Sequence, residues 1–554
     1  LNYKSKILFA FLFIVFFFVG WEITLPLVKE PSSEINSTPG YISENQFKID
    51  VLHYDLDIDL YPEDKFLRGS AAITALILNQ DITSIDLNLY DNLEIKKLLL
   101  NGIETDYTNQ GTRLSIPLNV IKSDTFLVEI NYEGSPKRAG LSAFVFGELN
   151  EKSVTYNLSE PTYASTWFPC NDIPDDKALL DIKITNDLSM TSVSNGSLVK
   201  VKDQGKRKTY HWKTVYPIST YLISIYSADY EQFSENYISQ DKKDTMKIEY
   251  FVFPEHLDKA KKDFEGHPEI IDFFAKTFGE YPFIKEKYGV AEFLWQLGAM
   301  ENQTITGIGS NFVTGRRFFD DVYVHELAHH WWGNAVGPET WKDIWLNEGF
   351  STYSEALYAE NIGDKEALQS TMLAKFQENF HGRLYDPGNN IFSQTIYDKG
   401  AWVLHMLRWE TGDSNFFNIL RDYFENFKYK NASTNDFKHV CESVSGKDLT
   451  KFFDQWVFKG EDQINLEYNW FVENEGNLFK LEIVFNQTQK LYNTYYFPLE
   501  IEIVFADSIK RDIINIKSRN ERVKLTLNEK PVNIKIDPDY WLLANYKETG
   551  PVRE

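Results

Sequence analysis

Cysteine is nearly missing from this chain: Cys170 and Cys441 are the only two in 554 residues, and no CxxC pair occurs. That excludes a disulfide scaffold and a cysteine-ligated structural zinc; the two thiols are expected to be free and buried, with a single bridge between them as the alternative. Basic charge is in deficit as well, with 57 Lys and Arg against 81 Asp and Glu and a formal net charge of -24. Such a surface repels phosphate backbones and offers no basic stripe for counterion release, so nucleic acid is not an expected partner. Long apolar runs are absent except for one, "ILFAFLFIVFFFVGW" from Ile7 to Trp21, which follows Lys4 and Lys6 and ends before Glu22. A positive n-region ahead of an apolar run marks an exported chain. The run is short beside the roughly 20 residues of a spanning helix, yet no A-x-A cleavage site follows it and no cysteine is placed for lipid attachment. The expectation is membrane attachment through residues 7–21 with the body facing outside the cytoplasm, and a secreted chain if the segment is removed.

What is present is ample material for cores: 43% hydrophobic and 15% aromatic residues, in a length that calls for several structural units. Beyond the apolar segment and a polar tether (1–45), patterning has period two. "YDLDIDLY" puts Tyr54, Leu56, Ile58 and Leu60 on one face and Asp55, Asp57 and Asp59 on the other. A calcium site is conceivable for three carboxylates, but a solvated outer face of a half-buried sheet needs no ligand. "SAAITALIL", "FLVEINY" and "LLDIKIT" continue the alternation, so 46–235 reads as an all-β domain. From Pro254 the spacing turns helical, as in "HLDKAKKDFEGHPEIIDFFAKTFG", and 236–460 reads as a mainly helical domain closed by Gly460. Alternation returns at Ile464 with "LEYNWFVE" and "FKLEIVFN", which predicts a C-terminal β-sandwich over 461–554. The fold class is multidomain α+β.

Histidine is scarce too, ten in all, yet three stand in "HELAHHWW" (325–332). His325 and His329 are four apart, so on a helix their rings share a face and can share one cation. Glu326, one step round the helix, can reach a water at the metal without ligating it. A tetrahedral catalytic zinc takes a third protein ligand and leaves one position open. Glu348 in "WLNEGFSTYSEAL", with eighteen residues between it and His329, supplies a carboxylate near the start of a second amphipathic helix. Two imidazoles and one carboxylate leave net positive charge on the ion, enough to acidify water and polarise a carbonyl. His330 points off the shared face and reads as packing or as support behind the ligands rather than as a ligand itself. Glu355 is either a group that orients a ligand or an ordinary surface carboxylate.

This set fits internal cleavage of proteins or trimming of N-termini. Trimming requires groups that recognise a free ammonium, and Glu301 in "LGAMENQT", in a segment expected to run as a strand beside the metal helix, is a candidate. A carboxylate buried near a dication is costly without a counter-ion, which a substrate ammonium would provide; an ordinary turn glutamate is the competing explanation.

Taken together, "GAMEN" (298–302), "HELAHHWWGN" (325–334) and "WLNEGF" (345–350), in this order and spacing, resemble the aminopeptidase N type of gluzincin zinc aminopeptidases. "EPTYASTWFPCNDIPDDK" (160–177) is similar to a signature of that family's N-terminal β domain, and "YDKGAWVLHML" (397–407) to its catalytic-tyrosine segment. The resemblance covers roughly residues 46–545. It implies a thermolysin-like, mainly α catalytic domain, one Zn2+ per chain, and peptide substrates with a free N-terminus. It assigns His325, His329 and Glu348 as zinc ligands, Glu326 as general base, and Tyr397 as the hydroxyl that stabilises the oxyanion. On composition and pattern alone Tyr397 would read as a core aromatic. Glu160 and Glu301 match the positions that grip the substrate ammonium. The backbone at Gly298, Ala299 and Met300 would pair with the peptide as an added strand.

Departures are few. Ser165 stands where the family often has arginine, and Gln303-Thr304 where it usually has Trp-Gly; both are expected to reshape the first specificity pocket. The long helical domain of many relatives has no counterpart in this sequence, which predicts a more open cleft. Against the aminopeptidase stand a zinc endopeptidase, which needs no ammonium clamp, a non-catalytic scaffold, which would usually lack a ligand or the base, and an epoxide hydrolase, whose branch relies on the helical C-terminal domain.

Overall fold

The computed structural model describes residues 42–118, 124–141 and 143–550. The apolar segment expected to anchor the chain, residues 7–21, lies outside them. Among the described residues no helix is long and apolar enough to cross a membrane.

The chain divides into two compact units, one running to Gly337 and taking in Lys428–Asn431, the other formed by Pro338–Phe427 and Ala432 onward. The first unit is built on sheets. Its largest has eight strands in the order Ser197–Asp203, Arg207–Lys213, Leu179–Asp187, Ile49–Tyr61, Phe66–Ile77, Thr125–Gly134, Leu93–Leu100 and Ile103–Glu104. The alternation read in "YDLDIDLY" is realised there: Tyr54, Leu56, Ile58 and Leu60 are buried. On the opposite face Asp55 pairs with Lys183 of the adjacent strand at 2.9 Å and Asp59 with Arg207, one strand further on, at 3.2 Å, so basic side chains of the same sheet answer these carboxylates. Cys170 and Cys441 are both free and buried, as expected.

A five-stranded sheet follows in the order Glu231–Ile238, Thr245–Val252, Lys287–Phe293, Thr306–Gly309 and Ala299–Met300. Helical patterning was expected across most of this stretch, and the sheet is the main difference from that expectation. The reason is legible in Lys287–Phe293, "KYGVAEF", which is buried at every position. A strand covered on both faces has no period-two signature to read. Ala299–Met300 is the terminal strand of this sheet, paired antiparallel with Gly307–Ile308, which confirms the expected strand at GAMEN but shortens it to two residues and leaves Glu301 just beyond its end.

The second unit carries the long helix Trp345–Ala374, helices Gly400–Thr411, Asp413–Phe427 and Thr434–Ser445, and two sheets of four and three strands over Ile464–Glu548. The long helix is broken at Gly363 and Asp364, whose φ/ψ values are not helical. Inward-facing Leu481, Ile483, Phe485, Leu499, Ile501 and Ile503 are fully buried, the alternation expected of the C-terminal β region.

Candidate metal centre

Helix Asp320–Ala328 begins with Asp320 and Asp321 in its first turn, where carboxylates meet the positive end of the helix dipole. His329 follows with helical φ/ψ (-56°, -23°) and its N–H still donates to the His325 carbonyl, so the HExxH geometry runs one residue past the helix proper. The next residues lock this end in place. Trp331 and Trp332 are buried, Trp331 packing edge-on against Phe274 and Tyr281 and donating its Nε1–H to the Gly279 carbonyl at 2.9 Å. Gly333, at φ +118°, then turns the chain away, a conformation that side-chain-bearing residues rarely adopt.

The two imidazoles converge as expected: the Nε2 atoms of His325 and His329 lie 3.0 Å apart. His329 Nδ1–H donates to the Trp332 carbonyl at 3.0 Å, which fixes the tautomer and leaves Nε2 bare for a cation. His325 is only partly buried, so this pair is reached from solvent on one side. Glu326 is 7% exposed. Two buried tyrosines respond to its charge. The Tyr226 hydroxyl is pushed well up by burial first and then by neighbouring charges that include Glu326 and Glu301, and burial and Glu326 also raise Tyr288. Both therefore stay protonated.

Glu160 follows strand Lys152–Leu158, and the Glu160–Pro161 bond is cis. Glu301 follows the sheet-edge strand. Both are almost fully buried, at 8% and 4%, and oxygens of the two carboxylates lie within 4.8 Å of each other. Two carboxylates this close repel unless a cation stands between them or one takes a proton. Among the described residues the strand beside them is the last of its sheet, leaving one edge unpaired by another strand.

In the second unit Glu348 lies in the first turn of Trp345–Ala374 and is 3% exposed. The amphipathic pattern expected there is corrected: Trp345–Ser354 is buried on every side, as suits a helix running through a core rather than over its surface. Its start is pinned by Asp343, which accepts from the Thr434 N–H and hydroxyl, and by Trp345 Nε1–H, which donates to Thr434 Oγ1 at 3.0 Å. Glu355 is half-buried in an ion pair with Lys375 at 2.7 Å.

Tyr397 belongs to a single π-helical turn, Thr395–Lys399, leading into Gly400–Thr411. Such turns recur at functional sites because the wider turn displaces one side chain from α-helical register. Lys399 is buried and donates to the Gly460 and Gly382 carbonyls at 2.7 and 3.1 Å; burial pulls its ammonium down to about 7. The segment crosses the Glu348 helix at Gly349 and Gly400, where a Cβ on Gly349 would come within 2.9 Å of Gly400 Cα. One methyl in this crossing forces the backbones apart. Gly349→Ala is expected to cost about 1–3 kcal/mol, read as a lower unfolding midpoint in a thermal melt; an unchanged midpoint would show the crossing to be slack.

Ser165, Gln303 and Thr304, the departures from the family pattern, all make interior hydrogen bonds. Ser165 donates its hydroxyl to Asp172 at 2.9 Å, Gln303 Nε2 donates to the Pro217 carbonyl at 3.2 Å, and Thr304 Oγ1 accepts from the Gly196 N–H at 2.8 Å. All three are buried and bonded to neighbouring segments of the interior.

The chain matches the peptidase family M1 domain over residues 262–456 and the peptidase M1 N-terminal domain over 51–222. It is 25% identical over 464 residues to the leucyl aminopeptidase of Saccharolobus solfataricus, covering 76% of this chain and 57% of that protein. It is similar in fold to Legionella pneumophila aminopeptidase A, with TM-score 0.80 and 18% identity over 92% of this chain and 60% of that one. A mutant M1 zinc metallopeptidase from Deinococcus radiodurans, bound to a Tyr-Ser-Ala substrate, is similar with TM-score 0.65 and 25% identity over 74% of this chain and 94% of that one. The chain spans about half the length of the curated aminopeptidases it matches, 48% to 57%.

Proposed function

The chain belongs to peptidase family M1, and from that premise we propose that it is a zinc-dependent aminopeptidase, releasing N-terminal amino acids from peptides that carry a free amine. Zinc is its cofactor. We assign His325, His329 and Glu348 as the ligands. Two neutral imidazoles with Nε2 available and one buried carboxylate are the donor set of a catalytic zinc with an open position. Bound there, the ion would supply a Lewis acid for the scissile carbonyl and make water a nucleophile near neutral pH.

The remaining steps fall to side chains of this chain. Glu160 and Glu301 bind the substrate ammonium between them, which relieves the repulsion of their own charges. Gly298, Ala299 and Met300 pair with the peptide backbone along the open sheet edge. With the amine held at the clamp, the first peptide bond is the one presented for attack. Glu326 takes a proton from the attacking water and returns it to the leaving amine. The Tyr397 hydroxyl donates to the oxygen on which negative charge develops.

The observation that carries this proposal is the buried Glu160–Glu301 pair: internal cleavage has no use for two carboxylates arranged to hold a cation. Its test is metal analysis of the purified chain alongside turnover of a panel of aminoacyl chromogenic substrates. One zinc per chain is expected. Chelation should remove both metal and turnover, and added zinc should restore them. Full activity in a metal-free preparation would end the proposal. Export, with attachment or secretion through residues 7–21, is proposed on the charged residues ahead of the apolar run; recovery of the full-length product from the cytoplasmic fraction alone would count against it.

A further inference from the structure

The turn that carries Glu301 is tied to the end of the HExxH helix by two hydrogen bonds, and a third holds the bridging ring to that helix. Asn334 Nδ2 donates to the Glu301 carbonyl at 2.7 Å, the Thr304 N–H donates to His330 Nε2 at 3.2 Å, and His330 Nδ1 donates to the Glu326 carbonyl at 3.3 Å. Because a backbone N–H can only donate and a carbonyl can only accept, both ring nitrogens of His330 are assigned, Nδ1 carrying the proton and Nε2 bare. The ring is fully buried among Tyr281, Phe283 and Tyr288.

Both ends of this linkage are themselves anchored. Thr304 sits at φ +65°, where the resembling family usually has glycine. Its hydroxyl accepts from the Gly196 N–H and, at 3.4 Å, from Lys287 Nζ, bonds that offset the strain of a left-handed conformation. Tyr226 donates to Asn302 Oδ1 at 2.6 Å, holding the middle of the turn. On the other side Lys177 Nζ donates to the carbonyls of Asn334, Ala335 and Lys430 at 2.8 to 3.0 Å. A buried ammonium with three carbonyl acceptors fixes the loop after the helix.

We propose that His330 and Asn334 are positioning residues that brace the amine-binding carboxylate Glu301 against the helix carrying Glu326, and so set the one-residue register between the bound ammonium and the bond attacked. Successive peptide bonds lie about 3.5 Å apart along an extended chain. Register is therefore kept only while the clamp and the base stay fixed to well within that distance, which two hydrogen-bonded bridges accomplish and a loose turn does not. The proposal rests on the aminopeptidase reading above, and its test separates the two.

Wild-type enzyme is first assayed on a free-amine tripeptide and on its N-acetyl form, with binding of leucine amide measured by calorimetry. Failure to bind or cleave free-amine compounds refutes the aminopeptidase reading itself. Given a working wild type, His330→Phe keeps the aromatic packing and removes both bridging bonds, while Asn334→Ala removes the third. Each is expected to raise KM and the leucine amide Kd by about tenfold, to leave kcat within about threefold and the zinc content at one, and to release dipeptide beside amino acid from the tripeptide. His330→Gln, which can accept from Thr304 and donate to Glu326, should restore KM. Unchanged KM and Kd in both variants, or a fall in kcat with loss of zinc, would overturn the brace. If His330→Phe does not fold, Asn334→Ala decides by the same readouts.

Discussion

Replacing Glu326 with alanine is expected to lower kcat by about 10²- to 10⁴-fold while one zinc per chain is retained. The separation of the two effects comes from where the residue stands. It is next to His325 in sequence but one step round the helix, so the side chain belongs to neither imidazole and its removal takes away no ligand. Its burial at 7% exposure keeps the carboxylate away from bulk water, and its charge is felt by Tyr226 and Tyr288, both held protonated. The backbone role survives the substitution, because it is the Glu326 carbonyl that accepts from His330. Steady-state kinetics and metal analysis on one preparation check it. Activity within tenfold of wild type would remove Glu326 from the proton-transfer role, and loss of zinc would make it a ligand or a ligand's support.

Acetylating the amine of a good peptide substrate is expected to abolish its cleavage, and Glu301→Ala is expected to weaken kcat/KM for the free-amine form by about 10²- to 10³-fold. Glu160 and Glu301 are almost wholly buried, with carboxylate oxygens no more than 4.8 Å apart. Removing one partner of a buried ion pair costs about 3–5 kcal/mol, because the charge left behind has lost its compensation. An acetylated amine is neutral and larger, so it can neither offset the two carboxylates nor fit where an ammonium sits. Competition between blocked and free peptides, followed by chromatography, checks the outcome. Equal turnover of the two would point to an endopeptidase and would leave the paired carboxylates without a function.

The two halves of the candidate site differ in how legible they were. His325, Glu326 and His329 can be read from four-residue spacing, since a helix turns such spacing into a shared face without help from the rest of the chain. Glu301 was legible as a candidate, but its pairing with Glu160 was available only through resemblance to a family: the two follow strands of different sheets. His330 read as packing or as support behind the ligands, and it does pack, while its ring nitrogens bridge two backbone segments. A doublet of histidines carries no sign of that, because the partner atoms are main-chain groups that any residue offers. Gly349 and Gly400 went unremarked for a similar reason: a close crossing of helices is a property of two segments together. The buried strand Lys287–Phe293 and the wholly buried start of the Glu348 helix were misread because burial on all sides erases the periodicity on which such readings depend.

By itself the sequence determined the local chemistry: a helix bearing two imidazoles and a carboxylate, a strand whose outer face is acidic, and a C-terminal region of alternating strands. These follow from spacing and side-chain type, which act over a few residues. Only the tertiary structure decided that the Glu160 and Glu301 carboxylates come together out of water, that His329 is held in the tautomer with Nε2 bare by the Trp332 carbonyl, and that His330 and Asn334 hydrogen-bond to the turn carrying Glu301. Each of these depends on main-chain carbonyls, N–H groups and distant carboxylates brought within about 3 to 5 Å, and such distances are set by packing between segments rather than by the order of residues along any one of them.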